Sequence, residues 1–112
     1  MRRLPLSAKA YVTLDGSGNG TAYVGPLSFG EQWTDATASV RVATNVNEAI
    51  CSTYAGAGAT PGYFVSSTTW GSTGDYTSIP VVKVGGNVWA VWTGGDPGAQ
   101  ATLTVTGTKV VA

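Results

Sequence analysis

The sequence predicts an all-β fold, a single jelly-roll-like β-sandwich of seven to eight antiparallel strands, and three observations favour it. Apolar and polar residues alternate along most of the chain, which is the period of a half-buried strand. Charged residues make up only 11% of the chain, and Thr, Ser, Gly, Ala and Val replace them, a composition typical of β proteins. Clusters of Gly, Pro, Asn and Asp separate the alternating segments at intervals of about 10–12 residues, as in β-sandwiches.

The first predicted strand covers residues 8–14 and ends in a run of turn-forming residues at 15–20, Asp-Gly-Ser-Gly-Asn-Gly. A second strand follows at residues 21–24 and stops at the Gly-Pro pair 25–26. The longest alternating stretch runs over residues 33–46. Ala36, Ala38, Val40 and Val42 share one of its faces, and Asp35, Thr37, Ser39 and Arg41 share the other. This alternation predicts an antiparallel strand with one face in the core and one in solvent.

Five further strands complete the predicted sandwich, at residues 50–55, 63–67, 79–84, 88–93 and 101–110. Between them, the turn-rich residues 70–78 predict an irregular loop. In the last strand Leu103 and Val105 face one way, and the threonines between them face the other.

The length of 112 residues fits one domain with one hydrophobic core. We place this domain at residues 8–112, after an extended N-terminal arm at residues 1–7 in which Pro5 disfavours a regular helix. Arg2 and Arg3 have the charge of a signal peptide, but the apolar segment that should follow them is missing. No apolar run approaches the ~20 residues that span a bilayer, so we expect synthesis in the cytoplasm and no membrane partner.

Composition argues against catalysis, because the chain contains no histidine. Ser-His-Asp triads, most zinc sites and the usual general base are thereby excluded. The carboxylates occupy predicted turns or a wet strand face, the ordinary places for charges: Asp15, Glu31, Asp35, Glu48, Asp75 and Asp96. Cys51 is the single cysteine, and a small buried thiol is the simplest interpretation of it. We therefore predict no enzyme activity and no cofactor.

The sequence also bears on two kinds of charged ligand, a metal ion and a nucleic acid. The run at residues 15–20 matches the first half of an EF-hand loop, but Pro26 stands where that loop needs its final glutamate, and strands flank it. We predict a hairpin turn and no metal site there, with a weak Ca²⁺ site as the alternative. Six basic residues balance six acidic ones, so the chain offers no electrostatic footprint for a nucleic-acid partner.

Four Trp and five Tyr residues are the chemically distinctive part of the composition. Trp89 and Trp92 are three residues apart in one predicted strand, so one belongs in the core and the other at a surface or interface. Trp33 alternates with polar residues and is expected to be exposed at a strand end. The residues expected to contact a partner are Arg2, Arg3, Leu4, Leu6, Trp33, Trp70 and Trp92. A protein partner is favoured, since buried aromatics anchor interfaces, and a glycan stacked on the rings is the alternative.

Two segments carry a resemblance to a known family. The first reads GNGTAYVGP over residues 18–26 and GEQWT over residues 30–34; the second reads VWAVWTGGDPGA over residues 88–99 and ATLTVTG over residues 101–107. Together they resemble small β-sandwich proteins encoded among the virion structural genes of tailed phages that infect actinobacteria. The matching motifs are structural turns and strands, so they indicate a fold family more than a task.

The resemblance implies a virion component that is made in the host cytoplasm and brings no catalytic residues with it. The first expectation is a capsid decoration protein, which binds the major capsid protein or other virion proteins as a homo-oligomer, with a trimer favoured. A tail or head–tail junction protein is the second expectation. A glycan-binding adhesion module on the virion surface, and a binding module unrelated to viruses, stay open as alternatives.

Overall fold

A computed structural model of the chain describes residues 2–25, 30–44, 46–69, 75–79, 82–83 and 86–111. Within these residues the regular structure consists of nine β-strands and one short 3-10 turn. The strands are β1 (Arg2–Thr13), β2 (Gly20–Val24), β3 (Gln32–Val42), β4 (Ile50–Gly56), β5 (Phe64–Thr69), β6 (Asp75–Ile79), β7 (Val82–Lys83), β8 (Asn87–Thr93) and β9 (Gln100–Val111). No helix in the described ranges is long and apolar enough to cross a membrane.

The strands form two antiparallel sheets. One sheet, called the long sheet here, has the order β1-β9-β3-β6, with β7 paired to the same strand β3 beyond the end of β6. The other, called the short sheet, has the order β2-β8-β4-β5. With β6 and β7 counted as one interrupted strand, each sheet is four strands wide, and the chain crosses repeatedly between them. This is the double Greek-key arrangement of a jelly roll, so the predicted all-β sandwich is confirmed.

Several strand limits differ from those predicted. β1 begins at Arg2 rather than near residue 8, because residues 2–7 continue the strand and pair with residues 106–111 of β9. Residues 1–7 were expected to be a separate extended arm; residues 2–7 do follow an extended path, but they are part of a sheet. Asp75–Ile79 forms an edge strand on β3 where a loop was expected. Trp70 lies outside the described residues.

The core follows the predicted alternation in most strands. Val40 and Val42 are buried in β3, and Leu103 and Val105 are buried in β9, while their polar neighbours face outward. Trp92 of the short sheet is fully buried in the core of the sandwich. Its indole N–H has no acceptor among the described residues, which costs about 1–3 kcal/mol that burial of the large ring must offset.

A β-bulge in β3 decides where Trp33 points. Between residues 34 and 37, β3 has two residues opposite the single residue Gly107 of β9. Asp35 has a left-handed φ of 52° and Gly107 has a φ of 152°. Because a bulge shifts the alternation of side chains by one position, Trp33 turns to the core side and is only 3% exposed. The expectation that Trp33 is exposed at a strand end is therefore wrong.

The turn at residues 15–20 joins the two sheets. The Asp15 carboxylate accepts hydrogen bonds from the backbone N–H groups of Ser17 and Asn19, at 2.8 and 3.0 Å. These bonds lower the pKa of Asp15 from its ordinary value of 3.8. A hairpin turn was predicted here. The turn is present, but the hairpin is not, because β1 pairs with β9 and β2 pairs with β8.

Backbone and side-chain hydrogen bonds tie this turn to two other loops at the same end of the sandwich. The backbone N–H of Gly95 donates to the carbonyl oxygen of Gly18 at 2.9 Å. The Asp96 carboxylate accepts from the backbone N–H groups of Val46 and Asn47 at 2.9 and 2.8 Å. Hydrogen bonds therefore join the three connections β1–β2, β3–β4 and β8–β9 to one another. Each of these connections links the long sheet to the short sheet.

Candidate binding surfaces

The outer face of the short sheet carries no charge. None of its four strands contains Asp, Glu, Lys or Arg. The outward positions alternate with buried ones: in β8 Val88, Ala90 and Trp92 are buried, whereas Trp89 and Val91 are half-exposed. A face of this kind gives up little hydration free energy when a ligand or partner covers it.

Four aromatic side chains lie in register across this face, one from each strand. Tyr23 of β2 is paired with Trp89 of β8, Trp89 with Tyr54 of β4, and Tyr54 with Phe64 of β5. We call these four residues the aromatic row. Its outer members, Tyr23 and Phe64, are 57% and 51% exposed, and the two inner members are half-buried.

The rings of the row contact one another and the backbone beside them. The Tyr23 and Trp89 ring centroids are 4.7 Å apart at an interplanar angle of 33°, and those of Tyr54 and Phe64 are 5.8 Å apart at 74°. The Trp89 indole N–H donates to the carbonyl oxygen of Gly56 at 3.1 Å. A fifth ring, Tyr63, packs so closely on Gly56 that a Cβ atom there would overlap it. Each ring of the row thus contacts one neighbouring ring, and Trp89 is also fixed by a hydrogen bond.

Small hydroxyl side chains lie next to the row. Two residues away from the row in β2, β8 and β4, and three residues away in β5 because of an extra residue there, Thr21 is paired with Val91, Val91 with Ser52, and Ser52 with Ser67. The Ser52 and Ser67 hydroxyl groups are hydrogen-bonded at 3.3 Å. Side chains two positions apart on a strand are about 7 Å apart, so one ligand can contact both rows.

The outer face of the long sheet is different. Thr102, Thr104 and Thr106 of β9 run along its centre, paired with Tyr11, Lys9 and Ser7 of β1 and with Arg41, Ser39 and Thr37 of β3. Lys9, Tyr11 and Arg41 are exposed. This face is therefore a ladder of hydroxyl groups with cations at its margin, which is the usual form of a solvated antiparallel sheet.

One end of the long sheet contains the first described residues of β1 and the last described residues of β9. There, residues 2–6 of β1 lie beside residues 107–111 of β9, and we call this pair of segments the terminal ribbon. Arg2 and Arg3 are exposed on it; the Arg3 guanidinium lies 3.8 Å from the Asp35 carboxylate, with the two side chains 69% and 76% exposed. Since β1 is the edge strand of the sheet, the outer edge of the ribbon is not paired within the described sheet.

The structure separates the residues predicted to contact a partner into three groups. Arg2 and Arg3 are exposed and Leu4 is half-buried, so these three are placed where a partner can reach them. Leu6, Trp33 and Trp92 are 6%, 3% and 0% exposed, so the expectation that they contact a partner is wrong for the folded chain. Trp70 lies outside the described residues.

Trp89, rather than Trp92, is the surface member of the pair in β8. The spacing of three residues showed that one of them faces out, but not which one. The burial of the neighbouring residues shows which one it is. Val88 and Ala90 face the core, Trp92 lies on the same face of the strand as they do, and Trp89 lies on the opposite face. Tyr23, Tyr54 and Phe64 were missed because the register that aligns four distant strands is not visible in local patterns.

Within the described part of the chain, no group of three or more His, Cys, Asp or Glu side chains is placed so that it could hold a metal ion. Burial raises the pKa of the Cys51 thiol to about 12, so this thiol stays protonated near neutral pH. The Asp15 carboxylate accepts bonds from the backbone of its own turn and so acts there as a structural acceptor.

A scan against protein-family models and a search of the curated proteins found no match to the chain.

Proposed function

We propose that this protein is a structural component of a phage virion, most directly a capsid decoration protein that binds the shell as a homo-oligomer. The observation that carries the proposal is the terminal ribbon, where exposed cationic side chains stand on a rigid edge strand. The family resemblance of residues 18–34 and 88–107 supplies the viral context. Jelly rolls recur in capsid proteins, although the same architecture serves other tasks and supports the proposal only in general terms.

The terminal ribbon suits attachment to a larger protein surface. An edge strand can accept a neighbouring strand through its free backbone N–H and C=O groups. Pro5 in the middle of the ribbon limits such pairing to part of its length, since proline has no N–H to donate. Pairing of an edge strand is directional, which favours one fixed orientation of the protein on its partner.

The two arginines add an electrostatic component to this attachment. An exposed ion pair such as Arg3–Asp35 contributes about 0–1 kcal/mol, so the Arg3 guanidinium can exchange partners at little cost. Arginine binds carboxylates through two parallel hydrogen bonds, which gives both geometry and affinity. Acidic groups of the major capsid protein or of another virion protein are the complementary partners.

Charge reversal on the ribbon tests this proposal. The double variant Arg2→Glu/Arg3→Glu is expected to melt at the wild-type temperature, because both side chains are exposed, but to bind purified capsid shells at least about tenfold more weakly. Lys9→Glu is the matched control: it reverses an exposed cation on the same strand, outside the ribbon. Co-sedimentation with shells gives the occupancy, and wild-type occupancy of the double variant contradicts the proposal.

Deletion of residues 1–7 is a poorer test than substitution. Residues 2–7 of this segment form half of β1 and pair with residues 106–111 of β9, so their removal uncovers that part of β9 and weakens the fold itself. Binding to purified tails instead of shells would place the protein in the tail or at the head–tail junction, where the same ribbon could serve. Light scattering at micromolar concentration measures the oligomer, for which we expect a trimer.

A further inference from the structure

We propose that the aromatic row is a binding site for an uncharged carbohydrate chain. The row lies on the short sheet, far from the terminal ribbon in the pairing scheme, and the inference does not depend on attachment to a capsid. Its evidence is the register of Tyr23, Trp89, Tyr54 and Phe64, the absence of charge from the sheet, and the size of the face.

The row offers an extended ligand a continuous set of ring surfaces. Neighbouring strands are about 4.8 Å apart, so four residues in register across four strands cover about 14 Å between the outermost Cα atoms. The negative faces of aromatic rings attract C–H groups of slight positive charge, and pyranose rings present several such groups on each face. A chain of sugars that crosses the strands therefore meets successive rings.

The absence of charged side chains from the short sheet disfavours anionic ligands among those that stack on aromatic rings. Single-stranded nucleic acids also stack on such rings, but their binding sites combine the rings with a positively charged groove. Binding to an anionic membrane surface likewise needs lysine or arginine beside the rings. The four strands of the short sheet contain neither residue, so a neutral ligand fits this face best.

The size of the face argues against a protein partner. The sheet is four strands wide and its strands have five to seven residues, which corresponds to a flat area of about 400 Å². A stable protein interface buries about 800 Å² on each partner. A carbohydrate chain needs less area, because ring contacts and a few hydrogen bonds hold it.

The residues beside the row supply those hydrogen bonds. Thr21, Ser52 and Ser67 are hydroxyl side chains on the same face, one row away from the rings. A hydroxyl group can both donate and accept, as can each hydroxyl of a sugar. The combination of fixed rings with small neutral hydroxyls thus matches a polyhydroxylated ligand.

Affinity electrophoresis tests the inference on the full chain. Native gels are cast with one of three soluble, uncharged polysaccharides: a β-glucan, an α-mannan or a β-galactan. We expect at least one of them to retard the wild-type protein. The double variant Tyr23→Ala/Phe64→Ala, which removes the two exposed ends of the row, should bind that polysaccharide about tenfold more weakly.

Tyr11→Ala is the matched control, because Tyr11 is 60% exposed against 57% for Tyr23 but lies on the long sheet. It should migrate like the wild type in every gel. Thermal melts of all variants confirm that they are folded. Binding of the double variant to capsid shells, measured by co-sedimentation, separates this inference from the proposed function, since the row and the ribbon are different surfaces.

The remaining outcomes overturn the inference. Mobility unchanged by all three polysaccharides contradicts a carbohydrate site, and equal retardation of wild type and double variant contradicts the row as its location. If the double variant instead has a smaller oligomer than the wild type, with no retardation of either, the row is a contact between copies of the chain.

Discussion

The two sheets of the sandwich differ in the aromatic residues on their outer faces: Tyr11 lies on the edge strand of the long sheet, whereas the short sheet carries the aromatic row. In the long sheet Trp33 faces the core, and the outer face is a ladder of hydroxyl groups around Thr102, Thr104 and Thr106. In the short sheet Trp92 faces the core as well, but four further rings stand on the outer face in one row. Both sheets cover the same core, so the outward rings of the short sheet are additional to what the fold needs.

The difference indicates which face is available for binding. Solvated sheets ordinarily alternate apolar and polar residues, as the long sheet does. Rings on an outer face are an exception to that alternation, and exposed apolar patches of this kind mark interaction sites in soluble proteins. The position of each ring can be tested by how much its removal changes stability.

The largest expected effect is on the free energy of unfolding, when removal of a buried tryptophan is compared with removal of a half-exposed one. Trp33→Ala should lower the free energy of unfolding by about 3–5 kcal/mol, because it empties a core site. Trp89→Ala should lower it by about 1–2 kcal/mol, since it removes one ring pair and one hydrogen bond. Urea denaturation of both variants gives the values, and equal losses would show that the row is structural rather than available for binding.

A smaller effect is expected at the bulge that turns Trp33 inward. A Cβ atom on Gly107 would lie 2.6 Å from the Asp35 carbonyl oxygen, and the φ of 152° disfavours side chains. We therefore expect Gly107→Ala to cost about 1–3 kcal/mol and to shift tryptophan fluorescence to longer wavelength. Gly16→Ala is the control, because nothing lies within 4 Å of a Cβ atom there. Equal stability of the two variants would contradict the role given to the bulge.

The smallest effect concerns the turn that joins the two sheets. The pKa of Asp15 is lowered in the folded state by hydrogen bonds from the backbone of Asn19 and Ser17. Its contribution to stability is therefore complete above the unfolded pKa of about 3.9 and is lost as the pH falls through the lower folded value. Asp15→Asn should flatten the decrease in melting temperature below pH 4. A wild-type acid response in this variant would contradict the assignment.

The sequence was sufficient for the fold class and for most of the core. Alternation over residues 36–42 and 101–105 predicted which side chains are buried, because regular strands preserve a period of two. The prediction failed at Trp33, where one extra residue reverses the alternation and only the partner strand reveals it. A loop was predicted at residues 70–78 because this segment is rich in turn-forming residues, yet pairing with β3 makes residues 75–79 an edge strand.

The binding surfaces were less predictable than the fold. Arg2 and Arg3 could be singled out from the sequence alone, because charged side chains are exposed in most proteins. The aromatic row could not, since it depends on the relative register of four strands that are far apart in sequence. Tyr23 and Trp89, for example, are neighbours only because β2 and β8 pair.

The strand order also determines when the sandwich can form. The central strand β9 separates β1 from β3 in the long sheet, and β8 separates β2 from β4 in the short sheet. Because both belong to the last quarter of the chain, β1 and β2 leave the ribosome long before the strands with which they pair. By contrast, β3 and β4 can pair earlier, with β6 and β5. Contacts between such distant segments slow folding, since loop closure precedes any gain from pairing. During synthesis the rings of β2, β4 and β5 are therefore exposed together with unpaired strand edges, and chaperones are expected to bind the nascent chain at these segments.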